Sequence, residues 1–253
     1  MITDSAIVAA RILTELRRSR HVLALWIIFP AAMLVIFGWV RADDMGLGPA
    51  FTTTAPGILI GAGFFFSCLG GPVSVLVAER ERRTMRRLLV SPLSGYAYFL
   101  GLVLAQLVVA AVQVALVYAI TWAAGGRFAG SPFLGASVIV LSVLGYVGLG
   151  FTFGARVARA PEDVNGAIAG IGVPLLVLGG TFFSTDDLPP VLHALAQADP
   201  IFHMNEAFKA IARDGAGFLE LWPSLALLAA LAFICILLGA RSYSRMLDVA
   251  RSS

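Results

Sequence analysis

The chain has 253 residues, of which 59% are hydrophobic and 13% charged, against roughly 45–50% and about 25% in an average soluble domain. That balance excludes an ordinary water-soluble enzyme and points to a bilayer, where each crossing of a ~30 Å hydrocarbon core takes about 20 apolar residues. The net charge of +3 says less than its placement along the chain, and nucleic acid is not the expected partner.

Residues 1–21 predict a cytoplasmic amphipathic helix. Asp4, Arg11, Glu15 and Arg18 share one stripe and Ile2, Ala9, Leu13 and Leu16 lie opposite, a pattern suited to lying along the membrane interface. The apolar run that follows is too long and starts too far in for a signal peptide and reads as a retained first span.

Residues 22–253 read as a single all-α, polytopic six-helix transmembrane domain. Uncharged apolar runs fall at about 22–40, 51–77, 95–122, 132–155, 164–183 and 221–240, each long enough to cross as a helix. Helix is the only sensible spanning form, since lipid offers no partner to an unpaired backbone group. With six spans, Arg11, Arg17, Arg18, Arg20, Arg80, Arg82, Arg83, Arg86, Arg87, Arg156, Arg159, Arg241, Arg245 and Arg251 lie on the side of the termini. Only Arg41, Arg127, Lys209 and Arg213 lie opposite. The positive-inside bias therefore predicts cytoplasmic termini in an inner membrane.

The connection after span two, "RERRTMRRLLVSPLS" at 80–94, is the most basic stretch of the chain. It predicts a short cytoplasmic helix over about 79–91, ended before Pro92 because the residue preceding a proline avoids helical dihedrals. Topology and contact with anionic headgroups account for its charge, though not for its pattern of residue types.

The one long connection on the far side, about 184–213, is half apolar. It predicts two short helices in a re-entrant or interfacial hairpin, the first capped by Asp186 or Asp187 with Pro189 and Pro190 near its first turn, the second starting at Pro200.

Catalytic signatures are missing. Lys209 is the only lysine, so the chain has no phosphate-binding loop of the Gly-x-x-x-x-Gly-Lys kind. Acids and bases are confined to loops and span ends, which disfavours an ion-coupled carrier. His193 and His203 stand among acids on the far side but at a spacing that fits no metal site, and Cys68 and Cys235 lie inside apolar runs as buried thiols.

Phe64, Phe65 and Phe66 in span two and Phe182 and Phe183 at the end of span five offer apolar, polarizable surface for an amphipathic ligand, or simple lipid-facing filler. Gln106, Gln113 and Asn165 suit interhelical hydrogen bonds, with Asn165 also a cavity candidate. The four-residue glycine pairs 57/61, 150/154 and 166/170 suit close helix approach.

Two stretches carry a family resemblance. "ERERRTMRRLLVSPLSGYAYFLGLVLAQ" resembles the segment before the third span of type-2 ABC exporter permeases, the drug, lipid and polysaccharide exporters of daunorubicin-resistance type. "GGTFFSTDDLPPVLHALAQADPIFHMNEAFKAI" is similar to their second signature, a phenylalanine pair, an acidic turn, Leu-Pro and a proline-led helix. The chain departs in having Arg83 where the family usually has glycine, Arg86 and Arg87 where an acid is common, and Ser184 in place of proline.

The resemblance implies a coupling helix that docks on a separate ATPase, with Glu79, Glu81, Arg82, Arg83, Thr84, Arg86, Arg87, Leu88 and Pro92 as its residues. It further implies two ATPase copies that bind ATP and magnesium, no cofactor in this chain, a second permease subunit, identical or related, and outward movement of a drug, lipid or lipid-linked molecule. An ion-coupled efflux permease working without an ATPase, or a non-transporting membrane scaffold, are the alternatives from other classes.

Overall fold

A computed structural model describes residues 2–81, 95–157, 166, 168–185 and 188–252. Among them every regular element is helical: α1 (Ile2–Arg18), α2 (Arg20–Met45), α3 (Leu47–Gly57), the π-helical turns π1 (Ile58–Gly63) and π2 (Phe65–Leu69), α4 (Gly70–Glu81), α5 (Gly95–Ala123), α6 (Pro132–Arg156), π3 (Ile168–Gly172), α7 (Val173–Leu178), α8 (Pro190–Gln197), α9 (Pro200–Asp214) and α10 (Phe218–Ser252).

Five of these helical stretches are long and apolar enough to cross a membrane: Arg20–Met45, Leu47–Glu81, Gly95–Ala123, Pro132–Arg156 and Phe218–Gly239. The expected fifth crossing, 164–183, is described as helix only from Ile168 to Leu178. The Leu47–Glu81 stretch is enclosed over 78% of its apolar window, whereas Arg20–Met45 and Phe218–Gly239 are enclosed over only 17% and 22%. Span two is thus the central post, and the first and last spans present apolar faces outward, including Leu25, Ile28, Trp39, Phe233 and Ile234.

Boundaries follow local chemistry. Gly46 stands between α2 and α3 with φ +82, a left-handed turn that glycine adopts without a Cβ penalty and that reverses the chain at the far membrane face. The helix of span two therefore begins at Leu47, four residues before the apolar run does. In its middle the backbone runs through π1 and π2, and these wider turns are frequent at working sites in helices.

Small residues then set the spacing. A Cβ on Gly57 would lie 2.6 Å from the Thr181 carbonyl oxygen, and one on Gly61 would run into the Thr181 side chain; Gly150 lies against the Leu69 carbonyl and a Cβ on Gly154 would come 3.0 Å from Val73 Cα. Both pairs are close-approach faces, as small-xxx-small patterns allow. Gly166 and Gly170 meet no described residue within 4 Å. α10 packs along α6, with Gly148 against the Cys235 carbonyl, and the α6 end is tied to it by Arg156 Nε donating to Ser242 Oγ at 2.7 Å.

α1 is an amphipathic helix, but its buried stripe is Ser5, Val8, Ala9 and Ile12, packed on α5 at Gly101. The hairpin consists of α8, with eight residues and Pro189 at its N-cap in place of an acid, and α9, with fifteen. Asp199 caps α9, its Oδ1 accepting from Ile201 N at 2.9 Å, and Gly215 closes it at φ +68.

Candidate functional site

At the terminal end of the bundle, α4 and α5 bracket the basic connection. Glu79 sits in the last turn of α4, 6% exposed, and Tyr98 in the first turn of α5, 1% exposed. Tyr98 Oη donates to Glu79 Oε2 at 2.8 Å, and Arg11 Nη2 of α1 approaches Glu79 Oε1 at 3.5 Å. Arg11 is oriented by Glu15, whose Oε1 accepts from its Nε at 2.8 Å and holds the guanidinium above its ordinary pKa. Arg80 Nη2 donates to the carbonyls of Gly154 and Ala155, both at 3.2 Å, covering acceptors that the C-terminus of α6 leaves open and complementing its dipole.

These contacts form a clamp. The two ends of the connection are bonded to each other, to α1 and to the end of α6. Glu79 and Glu81, expected to open a coupling helix, belong to the final turn of span two's own helix, Glu81 being exposed. Arg82, Arg83, Thr84, Arg86, Arg87, Leu88 and Pro92 lie outside the described residues, as do Asn165, Asp186 and Asp187. Beside the clamp a cleft of about 210 Å3 runs between α1, α2, α4 and α5, lined by Arg11, Glu15 and Glu79 and by Trp26 and Gln106.

Midway along the bundle, Gln113 joins three helices. Its Nε2 donates to Trp26 O at 2.7 Å and its Oε1 accepts from Ser67 Oγ at 3.1 Å. Gln106, on the same face, is buried against Gly71 with an amide oxygen that has no partner among the described residues. Of the aromatic candidates, Phe64 is a fully buried core residue; Phe65 stands edge-on to Tyr146 at 6.2 Å and against Gly172, and Phe66 packs on Phe29 at 5.1 Å. Phe182 and Phe183 gather instead around Phe37, at 5.3 and 6.0 Å, with Phe183 56% exposed. The two aromatic groups therefore use different neighbours, and none of the five lines either the cleft or the larger cavity at the other end.

At the hairpin end, Arg41 donates from Nη1 to Thr54 Oγ1 at 3.1 Å and from Nη2 to Phe182 O at 3.0 Å, pinning the start of span two and the segment after α7 to span one. Asn205 of α9, fully buried, donates to Gly179 O at 2.7 Å. Burial pushes the Asp199 carboxyl up to about 6, against the opposing pull of the Ile201 amide and His203. The histidines serve the hairpin itself: Gln197 Nε2 donates to His193 Nε2 at 3.2 Å, His193 Nδ1 meets Thr185 O at 3.1 Å, and His203 Nε2 donates to Gln197 O at 2.8 Å.

A cavity of about 490 Å3 opens here between α3, α5, α6, α9 and the 124–131 connection. Sequence reasoning missed this cavity, along with Tyr98, Arg11, Arg41 and Asn205. Tyr98 does carry a readable signal, a polar group one turn inside an apolar run, and Arg41 stands directly at the end of one.

Helices throughout the described residues, five of them long and apolar enough to cross a membrane, and a central span threaded by close glycine contacts define a multi-pass membrane protein. The profile of the ABC-2 type transporter family matches residues 5–212, and the chain belongs to that family. It is 32% identical to the "Probable multidrug ABC transporter permease YbhR" of Escherichia coli (strain K12) over 148 residues, 58% of this chain and 40% of that protein. It is 28% identical to the "Inner membrane transport permease YhhJ" of the same strain over 160 residues, 62% of this chain and 42% of that protein. The chain spans about two fifths of the length of these relatives.

Proposed function

We propose that the chain is the transmembrane permease part of an ATP-driven ABC exporter in the inner membrane, with cytoplasmic termini, a second permease chain and two copies of a separate ATPase subunit that bind ATP and magnesium. Its cargo is hydrophobic or amphipathic: a drug, a lipid or a lipid-linked molecule. The observation that carries the reading is the clamp around Glu79. Because Tyr98, Arg11 and Arg80 bond the ends of the basic connection to α1, α5 and the end of α6, a push on residues 82–92 is delivered to several helices at once.

In this reading, closure of the ATPase dimer moves the basic segment through Glu81, Arg82, Arg83, Thr84, Arg86, Arg87, Leu88 and Pro92. The clamp passes that motion to α1 and to spans two, three and four, spans one and five tilt with them, and access shifts from the inner to the outer face. The π-turns of span two, which join Phe65 to the Gly172 turn of span five, are the flexible point. Ends of span two held by Arg41 and by Glu79 leave its middle as the part that repacks.

The test is ATP-dependent uptake of a lipophilic fluorescent dye into inverted membrane vesicles. Replacing Arg82, Arg83, Arg86 and Arg87 by glutamate is expected to reduce uptake at least tenfold while the chain remains in the membrane. Uptake that survives ATP depletion and collapses with a proton ionophore would instead identify an ion-coupled permease.

A further inference from the structure

The cavity at the hairpin end has the polarity of a site for an anionic amphiphile. Its deep walls are Leu59, Val114, Val117 and Ile139, all apolar, and no carboxylate lines it. The one charged residue of its lining is Arg127, whose guanidinium makes no hydrogen bond or ion pair among the described residues, although its backbone is fixed by donation from its amide to Thr52 Oγ1 at 3.2 Å. Thr121, 8% exposed, also lines the cavity, and its hydroxyl is buried with no partner among the described residues. A Cβ on Gly126 would fall 2.7 Å from Thr121 Cγ2, which puts the orphan hydroxyl beside the connection that carries Arg127.

The polar groups therefore collect at the membrane-surface end and the apolar walls extend toward the middle of the bilayer. Tyr118 and Trp122, 57% and 71% exposed, flank the opening as aromatic residues do at the level of lipid headgroups. A volume of about 490 Å3 lies within the ~300–1,000 Å3 range of small-molecule sites, and an unpaired buried hydroxyl is costly unless a ligand satisfies it.

We infer that this cavity holds one acyl chain of an anionic phospholipid from the adjoining leaflet, with the phosphate on Arg127 and the Thr121 hydroxyl donating to an ester or phosphate oxygen. A zwitterionic lipid also offers a phosphate to Arg127, but its cationic headgroup offsets the attraction, and a cationic lipid is repelled, so the anionic lipid is favoured. The site is separate from the proposed cargo path and does not depend on the ATPase.

Native mass spectrometry of the purified full chain in mild detergent, titrated with phosphatidylglycerol, phosphatidylcholine and soluble glycerol 3-phosphate, tests the inference. Phosphatidylglycerol should remain bound at least tenfold better than phosphatidylcholine, glycerol 3-phosphate should not bind, and Arg127→Glu and Ala136→Phe should each remove the preference. Both positions are exposed, and unchanged melting of the lipid-free variants confirms that they fold. Equal retention of the two lipids, binding of the soluble phosphate as strong as that of the lipid, or an unchanged preference in both variants would overturn it.

Discussion

Asp199 shows how a single buried carboxyl shapes the hairpin. Its pKa of about 6 lies above the ~3.9 of a free aspartate, so the folded hairpin binds the proton more tightly than the unfolded chain. The associated stability is complete below about pH 4 and is lost as pH rises through 6. Asp199→Asn keeps the cap oxygen and removes the charge. It should melt with the parent near pH 3.5 and above it at pH 7.5, by up to about 3 kcal/mol, as read by thermal unfolding in detergent; parallel pH profiles would contradict this. Tyr98→Phe tests the clamp in the same assay. It removes the donor to Glu79 and should cost about 1–3 kcal/mol, several degrees of melting temperature, while Tyr96→Phe, at a residue 72% exposed, should be silent. Residue types alone could say that Gln113 and Gln106 seek partners inside the bundle. They could not say that Gln113 finds Trp26 and Ser67 while the Gln106 amide oxygen finds no partner among the described residues, because that depends on how far each neighbouring helix stands off.

Among the elements, the glycine pairs separate packing from coincidence. Gly150→Ala drives a methyl group into the Leu69 carbonyl and Gly61→Ala into Thr181, and backbone or short side chains cannot yield as a flexible tip would. Both should lower melting temperature and expression. Gly166→Ala and Gly170→Ala meet nothing within 4 Å among the described residues and should be neutral or stabilising by up to about 1 kcal/mol of helix propensity. The membrane-crossing character of spans one to four and of the last span was legible from hydropathy because a 20-residue apolar run has few alternatives. The π-turns at Ile58–Gly63 and Phe65–Leu69 were not, since a helical period of 3.6 and a local widening bury the same apolar residues. α9 was readable from Pro200, but the end of span two was not: Glu79 looks like loop chemistry until Tyr98, nineteen residues later, comes back to cover it.

At the scale of the whole molecule, the chain is a set of apolar helices fastened at its two ends by polar contacts, Glu79 with Tyr98 and Arg11 at one and Arg41 with Thr54 and Phe182 O at the other. The cavity at the hairpin end escaped the sequence because its walls come from five stretches between Thr52 and Ala212, each apolar for its own packing reasons. The Arg41 contacts bridge spans one and two and the segment after α7, so Arg41→Ala should destabilise the bundle and uncouple ATP use from dye uptake in vesicles. Uptake and melting equal to the parent would show that the outer fastening carries no motion. The most direct test of the permease reading is to purify the tagged chain from its native membrane and quantify what stays with it. The account predicts one ATPase subunit per permease chain, lost when Arg86 and Arg87 are replaced by glutamate; a pure chain with no nucleotide-binding partner in either form would contradict it.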